Sequence, residues 1–432
     1  MKKKIFLLLL IAALSLSSLS SCLLVSGDGL FEGLGNAGGA TGSGDTIINV
    51  DGGDTYDNIN ITSSSNGALL AAGKAMLSAV SIVCSFDETS YSFMGKPSTN
   101  ETASAGSGVI YKLDKKNGNA YVITNYHVIY NGDADQKDGI SDDIKLYLYG
   151  MEMMTSENKS YAIPAEYVGG SMYYDIAVLK VSASSVLMES EARAVDVADS
   201  NGVTVLDTAI ALGNPGGGGL SATVGYISVD SEEITVAFDT EKGQTGVSLR
   251  VMRTDAAVNS GNSGGGLFND KGELIGIVNA KSGNTSEENI GYAIPSNVAA
   301  AIADNAIHYS NGSIYRCLLG ITVGVKNYST KYDVNTGKIS KIEEVVVIEL
   351  SDGAAVSGFI SAGDIINSVS IVSSKAKEVR RVEVTRIHHV VDSMLYAREG
   401  DTVKINVTRG SENLDIELVV TAGMLTNWRM PS

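Results

Sequence analysis

From about Ala71 to Ala306 the chain is written in short β-type runs broken by Gly, Asn and Asp turns. Gly108–Leu113, Ala120–Thr124, Ile144–Tyr149 and Ile176–Val181 are examples. Runs this short, closed by turn residues at close intervals, favour a β-sandwich or β-barrel over a helical or alternating α/β fold. Helix is expected only near Gly67–Ala79, which is Ala-rich, and at Ser296–His308, where this β unit would end. At 432 residues the chain has room for two or three domains. With 44% hydrophobic and 19% charged residues it is not wholly disordered. A formal charge of −17 argues against a nucleic-acid partner, whose phosphates call for clustered Lys and Arg.

Residues 1–21 read as a secretory leader: Lys2, Lys3 and Lys4, then an apolar run from Ile5 to Leu16 that is too short for a membrane span. It ends in Leu19-Ser20-Ser21-Cys22, which resembles the lipobox of bacterial lipoproteins. That resemblance implies lipidation of Cys22 and attachment to a bacterial membrane outside the cytoplasm, without a transmembrane helix. Residues 22–70 are rich in Gly, Ser, Asn and Asp, and no Lys or Arg lies between Lys4 and Lys74. Such a stretch buries too little apolar surface to repay its ordering entropy, so an acidic flexible tether is expected.

Three segments carry the residue types of hydrolysis. His127 lies in Thr124-Asn125-Tyr126-His127-Val128, after an apolar strand, and is the first of only four histidines. Asp175 opens the run Ile176–Val181, and Ser263 sits in Gly261-Asn262-Ser263-Gly264-Gly265. A serine hydroxyl needs a base to take its proton, and neutral imidazole does this near pH 7. A buried carboxylate then fixes the imidazole tautomer and stabilises the imidazolium. Glycines around the serine let backbone N–H groups converge on a developing oxyanion. Gly261, Asn262 and Ser263 are the candidate donors.

These segments resemble the HtrA (Deg) family of trypsin-like serine proteases. Ala105–Val109 resembles the family's opening strand motif, Thr124–Val128 its histidine box and Asp175–Leu179 its aspartate box. Ala211–Pro215, Thr223–Gly225, Thr254–Gly265, Gly272–Ile277 and Gly291–Asn297 extend the match, which covers roughly residues 75–422. The resemblance implies a mainly β, two-barrel trypsin-like domain over 71–308, with His127 as base, Asp175 as orienting acid and Ser263 as nucleophile. Two departures stand out. Tyr126 occupies a position that is usually small or polar, and Gly216–Gly219 replaces a loop that commonly carries an aromatic. The resemblance also puts the first specificity pocket at Ala256, Ala257, Val258, Asn279 and Ala280. Alanine six residues before the serine offers no partner for a buried cation, so cleavage after small or medium aliphatic residues is expected. A homo-oligomer, a trimer in the family, would form through the segment from Phe86 to Phe93.

A second strand pattern occupies residues 315–422: Leu318–Ile321, Glu344–Leu350, Gly363–Ile366 and Asp401–Val407. It resembles a PDZ domain, which implies that Leu319, Gly320 and Ile321 receive the C-terminus of a peptide, beside a groove helix over Arg386–Ala397. His388 and His389 on that helix are expected to be exposed, and they lack further ligands at a spacing that suits zinc. Neither a metal nor an organic cofactor is implied. Cys84 and Cys317 are expected as two buried thiols; a disulfide between them would staple the two domains. Together these features point to a membrane-anchored, ATP-independent serine endopeptidase acting on misfolded or exposed extracytoplasmic proteins. The alternatives are a PDZ-guided chaperone or scaffold, and a regulatory protease that cuts one specific partner.

Overall fold

The computed structural model describes residues 67–91, 97–149, 161–214, 219–240, 243–279, 290–376 and 378–430. The leader, Cys22, Gly216, Gly217, Gly218 and Ala280 lie outside them, as does the acidic stretch through Asn66. Helix α1 (Gly67–Met76) begins within the last four residues assigned to the tether. Its Ala71, Ala72 and Ala75 are buried in one cluster with Ile210, Leu212 and Phe268. Alanine combines the best helix propensity with a side chain small enough for close packing.

Six strands follow: β1 (Ala79–Tyr91), β2 (Pro97–Asp114), β3 (Asn119–Thr124), β4 (Asp143–Leu148), β5 (Ile163–Ser171) and β6 (Ile176–Val181). They close into an antiparallel barrel in the order β1-β2-β3-β6-β5-β4. Strand β6 explains why its sequence is apolar rather than alternating. Ala177, Leu179 and Val181 belong to the cluster inside this barrel, while Ile176 and Val178 join the cluster on its outer face. Both faces of the pleat are covered, so neither needs polar residues.

A short helix, α2 (Ser185–Glu189), leads to the second set: β7 (Thr208–Gly213), β8 (Ser221–Thr240), β9 (Gly243–Thr254), β10 (Gly266–Phe268), β11 (Leu274–Asn279) and β12 (Gly291–Pro295). These close in the order β10-β11-β12-β9-β8-β7, giving the two barrels that the resemblance implies. Strands β8 and β9 are long enough to leave their own barrel. Val236, Phe238, Val247 and Leu249 from the outer part of this hairpin are buried in the cluster of the first barrel. Helix α3 (Ser296–Tyr309) packs Val298, Ala299, Ile302 and Ala306 against the outer-face cluster.

The chain then forms β13 (Tyr315–Cys317), β14 (Ile321–Tyr332), β15 (Ile339–Leu350), β16 (Ile365–Val372), β17 (Val379–Glu383), helix α4 (Ile387–Ser393), β18 (Thr402–Arg409), β19 (Glu412–Val419) and β20 (Leu425–Asn427). The sheet runs β14-β15-β16-β18-β19, with β17 on β16, so β14 is an edge. Helix α4 is shorter than the sequence suggested. Past Ser393 the chain turns inward, and Leu395 is buried with the residues of α3. His388 and His389 are not exposed: His389 is buried and His388 is partly buried. Their helix lies against the β8–β9 hairpin, where Asp392 pairs with Arg250 and Arg386 with Asp230 at 2.6 Å. Cys84 and Cys317 are both buried and unpaired. Among the described residues no helix is long and apolar enough to cross a membrane.

Candidate active site

Strand β3 ends at Thr124 and the chain enters a tight turn, Tyr126–Val128, that carries His127. A second turn, Met172–Tyr174, ends at Asp175, whose φ of 47° is left-handed. An L-residue holds that conformation only when its surroundings dictate it, at a cost on the order of 1 kcal/mol. Here they do. The Asp175 carbonyl accepts from Asn125 Nδ2 at 2.8 Å and from the Tyr126 N–H at 3.2 Å. The carboxylate, fully buried, accepts from the His127 N–H at 3.0 Å, from His127 Nδ1 at 2.7 Å and from Asn279 Nδ2 at 2.9 Å. Three donors compensate the lost hydration of the charge. With Nδ1–H given to Asp175, neutral His127 keeps Nε2 free to accept a proton.

Ser263 sits in a turn with Gly261 (φ 96°) and Gly264 (φ 82°) on its two sides, both in the left-handed region that favours glycine. Gly264 is forced by contact as well as by angle. A Cβ there would lie 2.2 Å from Thr124 Oγ1 and 2.3 Å from the Ser107 carbonyl. The Ser263 turn is therefore pressed directly onto the histidine segment. Ser107 joins them: its N–H donates to the Ser263 carbonyl at 2.8 Å and its Oγ to the Gly261 carbonyl at 2.7 Å. The same Oγ accepts the Asn214 N–H at 2.9 Å, and Thr124 Oγ1 donates to the Ser107 carbonyl at 2.7 Å. Ser263 is 6% exposed, and no hydrogen bond joins its Oγ to His127.

The oxyanion candidates divide. Among the described residues the N–H groups of Gly261 and Ser263 have no hydrogen-bond acceptor, whereas Asn262 donates its N–H to the Asn259 carbonyl at 3.0 Å. Asn262 is thus engaged in closing the turn and leaves the donor set. The pocket residues divide too. Ala256 is buried, Val258 is half-buried and packs near Gly291, and Ala257 is exposed. Asp255 fixes this register by accepting the Tyr226 N–H at 2.6 Å, and Thr254 Oγ1 donates to the Tyr226 carbonyl at 2.8 Å. Asn279, assigned to the pocket, instead gives its amide to Asp175. A cavity of about 320 Å³ opens beside His127, lined by Phe86, Phe238, Glu88 and Asp239. Phe86, expected at the start of an oligomer contact, is inside the first barrel.

A trypsin-like peptidase domain matches residues 106–277. Serine protease Do-like HtrA of Lactococcus lactis subsp. cremoris is 31% identical over 405 residues, 89% of this chain and 90% of that protein. The chain belongs to the HtrA family of serine proteases. Periplasmic pH-dependent serine endoprotease DegQ of Escherichia coli is 31% identical over 324 residues, 73% of this chain and 59% of the relative. A solved structure of the HtrA-type protease AlgW with a decapeptide covers 81% of this chain and 97% of its own at 23% identity, with a TM-score of 0.47.

In this HtrA chain the sequence left unread the contacts of three residues at the site: Ser107, Asn279, which it assigns to the pocket, and Tyr126, which it notes only for its size. Ser107 stands in the sequence only as part of a strand motif, and its position between Gly106 and Gly108 is the available signal of close backbone approach. Asn279 and Tyr126 gave none, because their partners lie far along the chain. At the second unit, Leu319 is buried and Gly320, at φ 76°, packs against Ala354. Ile321 begins the edge strand β14. Among the described residues the N–H groups of Leu319 and Gly320 reach no carbonyl, while that of Leu318 donates to Met424 O at 2.7 Å.

Proposed function

We propose that Ser263, His127 and Asp175 form the hydrolytic machinery of this serine endopeptidase. Ser263 Oγ attacks the carbonyl carbon of the scissile bond as its proton passes to His127 Nε2. The carbonyl becomes an oxyanion facing the N–H groups of Gly261 and Ser263, each worth about 3 kcal/mol in such a position. Collapse breaks the C–N bond, and the imidazolium gives its proton to the leaving amine. Water then attacks the acyl-enzyme by the same path in reverse, releasing the acid and restoring Ser263. The observation that carries this reading is the 2.7 Å His127–Asp175 bond, made beside a serine turn that cannot move away because Ser107 and Gly264 fix it.

The substrates are exposed or misfolded polypeptides outside the cytoplasm, with the enzyme held to a membrane through Cys22. The second unit serves as a PDZ-type module. Its edge strand β14 takes a peptide as an added strand, and the Leu319–Ile321 turn receives the terminal carboxylate.

Incubating the chain and its Ser263→Ala variant with casein tests the reaction. Cleavage by the parent and none by the variant is expected. If both leave casein intact yet suppress its aggregation, the hydrolytic reading falls and a chaperone remains.

A further inference from the structure

The sequence reading ended the second unit at Ala422, so residues 425–430 had no assigned role. They run back to the first barrel. Strand β20 pairs with β13, and the residues beyond it seat on the turn that presents Asp175. The Met172 N–H donates to the Arg429 carbonyl at 2.7 Å, and Ser171 Oγ donates to the Trp428 carbonyl. The Trp428 indole packs on Tyr173 and Tyr174, with ring centres 4.9 and 6.5 Å apart. Arg316 stacks over the indole at 3.6 Å and donates to the Tyr174 hydroxyl at 2.8 Å. On the other side the Arg429 guanidinium lies 5.8 Å from the Tyr167 ring centre and pairs with Asp138 at 3.2 Å. Tyr167 in turn meets Tyr126 edge-on at 6.4 Å. Tyr126 is the residue before His127.

One short segment therefore touches the Asp175 turn directly and, through Tyr167, the residue that precedes His127. The left-handed Asp175 is held on its inner side by Asn125 and Tyr126. On its outer side lies the Met172–Tyr174 turn, which the segment clasps. We propose that Trp428 and Arg429 are positioning residues for the hydrolysis. Seating of residues 428–430 keeps the Asp175 and His127 turns in register, so that the His127–Asp175 hydrogen bond forms. The proposal rests on the triad reading above.

The test uses the full chain and its Trp428→Ala, Trp428→Phe and Arg429→Ala variants. Three properties are read: the far-downfield proton resonance of His127 Nδ1–H, the rate of casein cleavage, and thermal unfolding. In Trp428→Ala the resonance is expected to vanish or broaden while the protein stays folded at the assay temperature. Its kcat should fall at least tenfold with KM changed less than twofold, and Trp428→Phe should recover both properties to within threefold. An intact resonance with kcat within twofold of the parent overturns the proposal. So does a loss that tracks the unfolded fraction and is not recovered by phenylalanine, because that marks a purely structural role. Should Trp428→Ala not fold, Arg429→Ala keeps the backbone bonds and removes only the cation, and the same criteria apply to it. A parent that shows the resonance but cleaves nothing sinks the hydrolytic reading, and the resonance alone then decides the clamp.

Discussion

A carboxylate without solvent exposure persists at position 175 because three donors converge on it, two from His127 and one from Asn279. Replacing Asp175 by Asn removes the charge and presents the wrong partner to Nδ1, so kcat should drop about 10³–10⁴-fold, read with casein. Asn279→Ala removes one of three donors, and a loss of about tenfold is expected, on the scale of a single hydrogen bond. Cysteines give a second prediction at this scale. Burial pushes the Cys84 thiol up to about 12 and the Cys317 thiol up to about 11. Both stay protonated at pH 8, so iodoacetamide should leave Cys84 and Cys317 of the folded protein unmodified and label both in urea without reductant, as peptide mass spectrometry would record. Failure to label in urea would reveal a disulfide.

At the scale of elements, the Ser263 turn is the most constrained. Gly264→Ala places a Cβ into Thr124 and Ser107 at a left-handed φ. It should abolish casein cleavage and lower stability by more than about 2 kcal/mol in urea unfolding. His127, Asp175 and Ser263 were legible in the sequence because each sits in a short local pattern whose chemistry is readable residue by residue. The contacts of Ser107, Asn279 and Tyr126 were not, because these partners are 154, 104 and 41 positions away and meet only when the barrels close. Helix α4 was readable in position but not in length, since the chain leaves the helix to bury Leu395 beside α3.

At the scale of the whole molecule, α4 joins the second unit to the β8–β9 hairpin through Arg250–Asp392 and Arg386–Asp230, with Arg386 also 3.4 Å from Glu343. His388 and His389 lie in this contact. Burial, and next to it Arg250, pushes the His388 imidazole far below its ordinary 6.5; burial also lowers His389. For a base lowered in the folded state, the unfolded chain binds more protons once the pH falls below about 6.5. Stability is therefore fully present above that pH and is lost on acidification, by on the order of 1–2 kcal/mol for His388 between pH 6.5 and 5, with His389 acting in the same direction. Thermal unfolding across this range should show a falling Tm, and His388→Gln should flatten the slope. An unchanged Tm at pH 5 would contradict the burial of both imidazoles.

The sequence by itself determined the strand-rich architecture and singled out His127, Asp175 and Ser263 as candidate reacting residues. Turn spacing, apolar runs and short motifs depend only on neighbours along the chain. It also fixed which glycines surround Ser263. The tertiary structure decided which donors remain for an oxyanion, which asparagine supports Asp175, and that two helix histidines are buried rather than exposed. It alone brought Trp428 and Arg429 beside a turn more than 250 positions earlier. Each of these depends on hydrogen-bond partners and burial supplied by distant strands, and those exist only once both barrels and the second unit have packed.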